Sequence, residues 1–311
     1  RRVQDGLYPI PNLDFATVAN NPVGAMLALP DNFVSSYVQQ YNFQIQQALP
    51  GAMVLKVGYV GNLGRKLDTS YDFNQPVPGP GAPGPRRPLF GISPGVVGVN
   101  YNVTDGLSSY HGLQASMERR FASGIGFLTS YTWSHAIDNV ANQFGGADNG
   151  PIPQDRRFRN LDRASAGFDI RHRFVQSANW TLPIGKGQRF DIGNPVANAV
   201  IGNWKMNLIF TGQTGIPFTP TLATSVSNAG GSRPDLLRSA AIDNPTVARW
   251  FDTSFNASGA AWGQPEQFNF GNAGRNILTG PGRVNIDYSV FKDFPITEKF
   301  NLQFRGEFFN L

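Results

Sequence analysis

The sequence predicts an all-β chain whose strands build an antiparallel transmembrane barrel, and three observations carry that prediction. Apolar and polar residues alternate with period two in about eight segments. Short turns and long polar stretches join those segments in alternation, and aromatic residues gather near segment ends.

Composition sets the bounds. The 311 residues include 24 Phe, 9 Tyr and 5 Trp, yet only 15% are charged, against about 25% in an ordinary soluble protein. Mean hydropathy is −0.25, and no run approaches the roughly 18 apolar residues of a transmembrane helix. Strands that alternate lipid-facing and lumen-facing residues average to near neutrality, so this composition excludes helical spans and leaves a barrel open. The 35 Gly and 23 Pro favour strands and turns. With no Cys, disulfide scaffolds, zinc-thiolate sites and thiol catalysis are absent. The net charge of +5 does not mark a nucleic-acid binder, because the arginines of residues 155–174 are interleaved with Asp155, Asp162 and Asp169.

Residues 37–47 set Tyr37, Tyr41, Phe43 and Ile45 against Gln40, Asn42, Gln44 and Gln46, and residues 53–61 align Met53, Leu55, Val57 and Tyr59. Residues 108–135 read as two strands about one tight turn. Leu113, Ala115, Met117 and Phe121 alternate with Gln114, Ser116, Glu118 and Arg120, then Phe127, Thr129, Tyr131 and Trp133 with Leu128, Ser130 and Thr132. Residues 168–182 set Phe174, Ala178, Trp180 and Leu182 against Arg171, Arg173, Ser177 and Asn179. Residues 203–213, 283–293 and 299–309 repeat the pattern, the last with Phe300, Leu302, Phe304 and Phe308 on one face.

Short turns are expected at residues 49–52, 121–125 and 295–298, and long polar stretches at 61–106, 136–167 and 216–282; the link 183–202 is intermediate. Long loops therefore gather at one end and short turns at the other, the asymmetry of outer-membrane barrels. Alternation alone fits a packed soluble barrel equally well. The membrane reading is favoured by Tyr59, Tyr131, Trp133, Trp180 and Trp204, which stand near segment ends where interfacial girdles form.

Several residues are candidates for specific roles. Asp169, Arg171 and Arg173 share one face of the 168–182 segment and, with Glu118 and Arg120, make a candidate polar network on the lumen wall; an internal ion-pair network is the plainer reading, contact with a plug or substrate the functional one. Trp250, Phe251, Phe255 and Trp262 are loop aromatics that suit stacking on a ligand or packing of the loop on itself. His111, His135 and His172 show no zinc-ligand spacing. The loop with Asp148 and Asp155 lacks EF-hand spacing, and residues 79–88 read as an extended, mobile Pro/Gly loop. No nucleophile elbow, phosphate loop or dinucleotide fingerprint appears, and no cofactor is implied.

In this order, SSYHGLQASMERRF, TSYTWSHAIDN, FDIRHRFVQSANWTLPIGKG, GNWKMNLIFTGQTGIPF and NIDYSVFKDFPITEKFNLQFRGEFFNL resemble the C-terminal barrel half of TonB-dependent receptors of the Oar-like type, over residues 32–311. The resemblance implies a 22-stranded barrel in the outer membrane of a Gram-negative bacterium, closed by a plug and energised through TonB. About eight strands are then part of one receptor barrel domain spanning 1–311, with the plug and a carboxypeptidase-regulatory-like domain expected outside this sequence. Leu311 departs from the aromatic ending usual in that family, and with both ends of the chain on the outer side it reads as a fragment. The expected function is non-enzymatic uptake of an unidentified ligand, with outer-membrane lipid, the protein's own plug and the TonB complex as partners. The alternatives are a structural or adhesive surface protein that displays long loops, and a secreted soluble β-rich enzyme acting on polysaccharide.

Overall fold

A computed structural model describes residues 26–31, 33–140, 153–185, 187–191, 193–295 and 300–311. Its main elements are β1 (Met26–Ala28), β2 (Tyr37–Leu49), β3 (Met53–Asp72), β4 (Val99–Ala122), β5 (Ile125–Asp138), β6 (Ala164–Ser165) and β7 (His172–Thr181). A short helix α1 (Pro195–Ile201) precedes β8 (Trp204–Gln213). The pairs β9 (Pro217–Phe218) to β12 (Leu278–Thr279) and β10 (Asp235–Leu236) to β11 (Trp262–Gly263) come next, and then β13 (Arg283–Pro295) and β14 (Asn301–Phe308). All eight expected strands form, and they pair in chain order as β2-β3-β4-β5-β7-β8-β13-β14, every pair antiparallel. The sheet does not close: β2 and β14 each have a strand on one side only among the described residues.

Local chemistry explains the joints. The β4–β5 turn has two central residues at positive φ, Ser123 at 51° and Gly124 at 82°, the shape whose twist matches a hairpin's strands. Asn194 caps α1, its side-chain oxygen accepting from the backbone N–H of Val196 and Ala197 at 2.9 and 3.1 Å. The turn expected at 295–298 falls largely outside the described residues.

Register defines the two faces. One row runs Tyr59–Leu113–Trp133–His172 across β3, β4, β5 and β7, and the rows nearer the short turns hold Tyr131 with Phe174 and Phe127 with Ala178. On β8, β13 and β14 this face continues through Phe210, Ile286, Tyr288 and Phe308. The opposite face carries Asn42, Gln44, Lys56, Gln114, Ser116, Ser130 and Thr132, which line a hollow of about 430 Å3. The amide face is therefore the concave one.

Among the described residues no core lies against the sheet. The buried apolar residues Val96, Val99, Ala136, Ala166, Ala229, Ala240, Ala260, Ala261, Trp262 and Ala273 all lie in the long loops or at the strand ends beside them. The aromatic face is bare: Phe43 is 67% exposed and Trp133 55%. Two stacked sheets would bury these rings, so the soluble-sandwich arrangement does not apply.

Three expectations need correction. Residues 61–106 are not all loop: β3 runs on to Asp72 and β4 starts at Val99, with register shifts between Gly64 and Leu67 and between Leu67 and Thr69. Bulges and glycines erase the alternation there, which is why the sequence reads as loop. The 168–182 strand begins only at His172, because a turn bond from Asp169 N to Ala166 O (2.9 Å) bends the chain before it. The Pro/Gly stretch is not extended either. It forms a one-turn 3₁₀ helix, Gly84–Arg86, with proline in its first turn, and the Arg86 guanidinium bonds the carbonyls of Val77, Gly81 and Asn228.

Candidate functional site

The long loops meet over one end of the sheet and are bonded into a single layer. The Gln75 side chain, 8% exposed, joins all three long loops. Its Nε2 donates to the carbonyls of Gln154 (2.7 Å) and Ala229 (3.0 Å), and its Oε1 accepts from Arg156 N (2.8 Å). Arg233 and Asp162 form an ion pair with both side chains nearly inaccessible. Arg275 pairs with Asp138 and also donates to the Asp162 carbonyl at 2.8 Å. Buried charges are retained only when paired and hydrogen-bonded in this way. At the root of the third loop the backbones touch: a Cβ on Gly215 would lie 1.8 Å from the Gly280 carbonyl oxygen, so only glycine fits.

The loop aromatics divide. Trp262 is 4% exposed, its indole N–H donates to the Asp252 carbonyl at 2.6 Å, and Phe251 meets it edge-on at 6.4 Å. Phe255 forms a bridge to Trp262. These rings hold the loop together, and Asp252 reinforces them. Backbone and hydroxyl bonds from Ser254, then Arg238, lower its carboxyl to about 2. Trp250 is bonded to the Thr279 carbonyl at 2.6 Å and lines two hollows, one of about 370 Å3 shared with Phe251 and Trp262 and one with Tyr131, His172 and Phe174 on the aromatic face.

The five residues of the expected lumen network do not come together. Arg173 lies opposite Thr132 and Gln213 on the amide face. Glu118 pairs in register with Val54 and Leu128 near the short turns, where the Arg120 backbone N–H donates to Ala52. Asp169 is 3% exposed and accepts from Ala136 N at 2.7 Å. Arg171 pairs with Asp169 at 3.0 Å and reaches His135 on the aromatic face. The bend before His172 turns Arg171 away from the strand pattern on which its expected position rested. Asp155 pairs with Arg157 at 2.6 Å, while Asp148 lies outside the described residues.

The aromatics expected at interfaces mark two levels. Trp180 and Trp204 lie at the short-turn ends of β7 and β8; Tyr59, Tyr131 and Trp133 lie mid-strand, because β3, β4 and β5 continue past them. Along β7, His172 and Trp180 are eight residues apart, about 26 Å of strand at about 3.3 Å per residue. A tilt of about 40° makes that about 20 Å along a bilayer normal, close to the height of a barrel's apolar band.

Sequence spacing missed a histidine pair. His111 and His135 are directly opposite in the β4–β5 register, although 24 positions apart in the chain. An even count from the tight turn does not find them: the register shifts by one between Arg119 and Ala122, and without that irregularity His111 would stand opposite Ala136. Among the described residues no group of three or more His, Asp or Glu gathers to hold a metal ion.

A family model described as an outer membrane beta barrel domain matches residues 2–311. The chain belongs to this family. Its place is the outer membrane, with the aromatic face toward lipid and the amide face toward the lumen. The outer membrane transporter YddB from Escherichia coli has a similar fold, at a TM-score of 0.50 and 7% identity. The match covers 93% of this chain and 30% of the YddB chain. No curated protein matches. Membership in an outer-membrane barrel family sets aside the secreted soluble enzyme.

Proposed function

We propose that this outer-membrane barrel segment belongs to a TonB-dependent, Oar-like receptor that takes up an unidentified ligand without enzymatic chemistry, and that residues 1–311 are part of its single barrel domain. One observation carries the reading: eight strands leave the sheet open. A closed eight-stranded barrel is filled by its own side chains, whereas wider barrels enclose a channel or a plugged lumen. A concave wall of amides and hydroxyls with few charges fits contact with a plug domain and with a polar ligand passing it. The partners in this reading are the protein's own plug, the TonB complex and a small-molecule or oligosaccharide ligand. Cross-linking of the intact protein in living cells tests energisation. A covalent adduct with TonB is expected, and its absence in cells where another receptor still yields one overturns the proposal.

The bonded loop layer favours a second reading, display of a rigid surface for adhesion. Deleting the gene separates the two. Lost surface attachment with uptake intact supports display, and lost uptake supports transport.

A further inference from the structure

The chain's three histidines lie on the lipid-facing wall at its outer boundary. Tyr59 Oη meets His111 Nδ1 at 2.7 Å, and Tyr131 Oη meets His172 Nδ1 at 2.8 Å, the rings stacked at 19° and 20°. Between these two pairs is a niche of about 490 Å3 lined by Tyr59, His111, Leu113, Trp133, His135 and Arg171. Its lower part is apolar and belongs to the exposed row of Leu113 and Trp133. Its upper part carries the Arg171 guanidinium. The Arg171 side chain is 43% exposed, whereas its counter-charge, Asp169, is only 2% exposed and contacts it through Nε at 3.0 Å.

A buried carboxylate behind a guanidinium orients it, and with Nε on Asp169 and Nη2 on His135 the remaining Nη1 is left for another anion. Arg171 Nη2 donates to His135 Nε2 at 2.6 Å, and Ser165 Oγ lies 3.1 Å from the same nitrogen. That nitrogen acts as an acceptor, and the guanidinium beside it disfavours a metal cation, so the His111–His135 pair is not a metal site.

We propose that the niche holds the phosphate of an outer-leaflet lipid headgroup, with Arg171 as its ligand and Trp133 and Leu113 as the surface for an acyl chain. Charge and polarity both select this occupant. The cation lies at headgroup level, the rings lie below it toward the hydrocarbon, and tyrosine and tryptophan favour that boundary.

Native mass spectrometry of the intact protein in detergent tests the assignment with three probes: lipid A bearing both phosphates, its dephosphorylated form, and inorganic phosphate. The phosphorylated lipid is expected to be retained at least about tenfold better than the dephosphorylated one, and Arg171→Gln to remove that advantage. Trp133→Ala is expected to weaken lipid retention severalfold and to leave inorganic phosphate unaffected. Equal retention of the two lipids overturns the proposal, as does unchanged retention in an Arg171→Gln protein that still shows heat-modifiable migration. Inorganic phosphate binding as tightly as the lipid also overturns it, in favour of a soluble-anion site. If Arg171→Gln does not fold, Trp133→Ala decides alone: unchanged lipid retention rejects the proposal.

Discussion

Lys292 projects from the lipid-facing side of β13, in register with Trp204 and Phe304, and is 2% exposed. Its ammonium donates to the Gly202 carbonyl and stands 5.1 Å from the Phe294 ring. The stem is buried against rings while the charge reaches backbone near the short turns, as a snorkelling lysine does at a membrane boundary. Lys292→Met would leave that carbonyl without its donor. We expect about 1 kcal/mol less stability, measured as a lower urea midpoint for the intact barrel in vesicles; an unchanged midpoint would show that the bond contributes nothing. Single residues differ in how legible they are. Trp180 and Trp204 can be placed from sequence because they lie at ends of clean alternation. Lys292 cannot, since a lysine in an apolar series looks like the end of the strand. The His111–His135 pair emerges only once the hairpin register is applied.

At the level of elements, alternation located all eight strands because each has one apolar and one polar wall. It failed where β3 and β4 leave the membrane band. Thr69 and Ser70, 1% and 4% exposed, are covered by loops rather than lipid, so neither face there needs to be apolar. The loops have no period at all, and their cohesion comes from side chains far apart in sequence: Arg275 reaches Asp138 across 137 positions. Arg275→Gln would remove the ion-pair partner of a buried carboxylate, at about 3 kcal/mol. Local opening near Asp138 and Asp162 should then become about a hundredfold more frequent, read as faster amide hydrogen exchange at 136–139 and 162–165. Unchanged exchange would mean the loops are held by other contacts.

For the molecule as a whole, the open sheet sets the terms. Hydrocarbon cannot satisfy the N–H and C=O groups along the outer edges of β2 and β14, which have no neighbouring strand among the described residues. The 311-residue chain expressed alone is therefore expected not to insert as a stable monomer; heat-modifiable migration of that isolated chain on a gel would contradict this. Fold class, strand order and the loop asymmetry are legible in the sequence because the bilayer imposes one simple rule on every strand. The candidate site is less so, because the outer boundary is assembled from Arg171, Trp250 and the histidines by bends and register. The long β3–β4 hairpin carries a further consequence. From Gly61 to Asp72 it adds twelve residues beyond the aromatic row, about 36 Å from the first to the last at about 3.3 Å per step. Whatever approaches the cell from outside, such as a phage tail, an antibody or another bacterium, meets a stiff turret of protein before it meets the membrane.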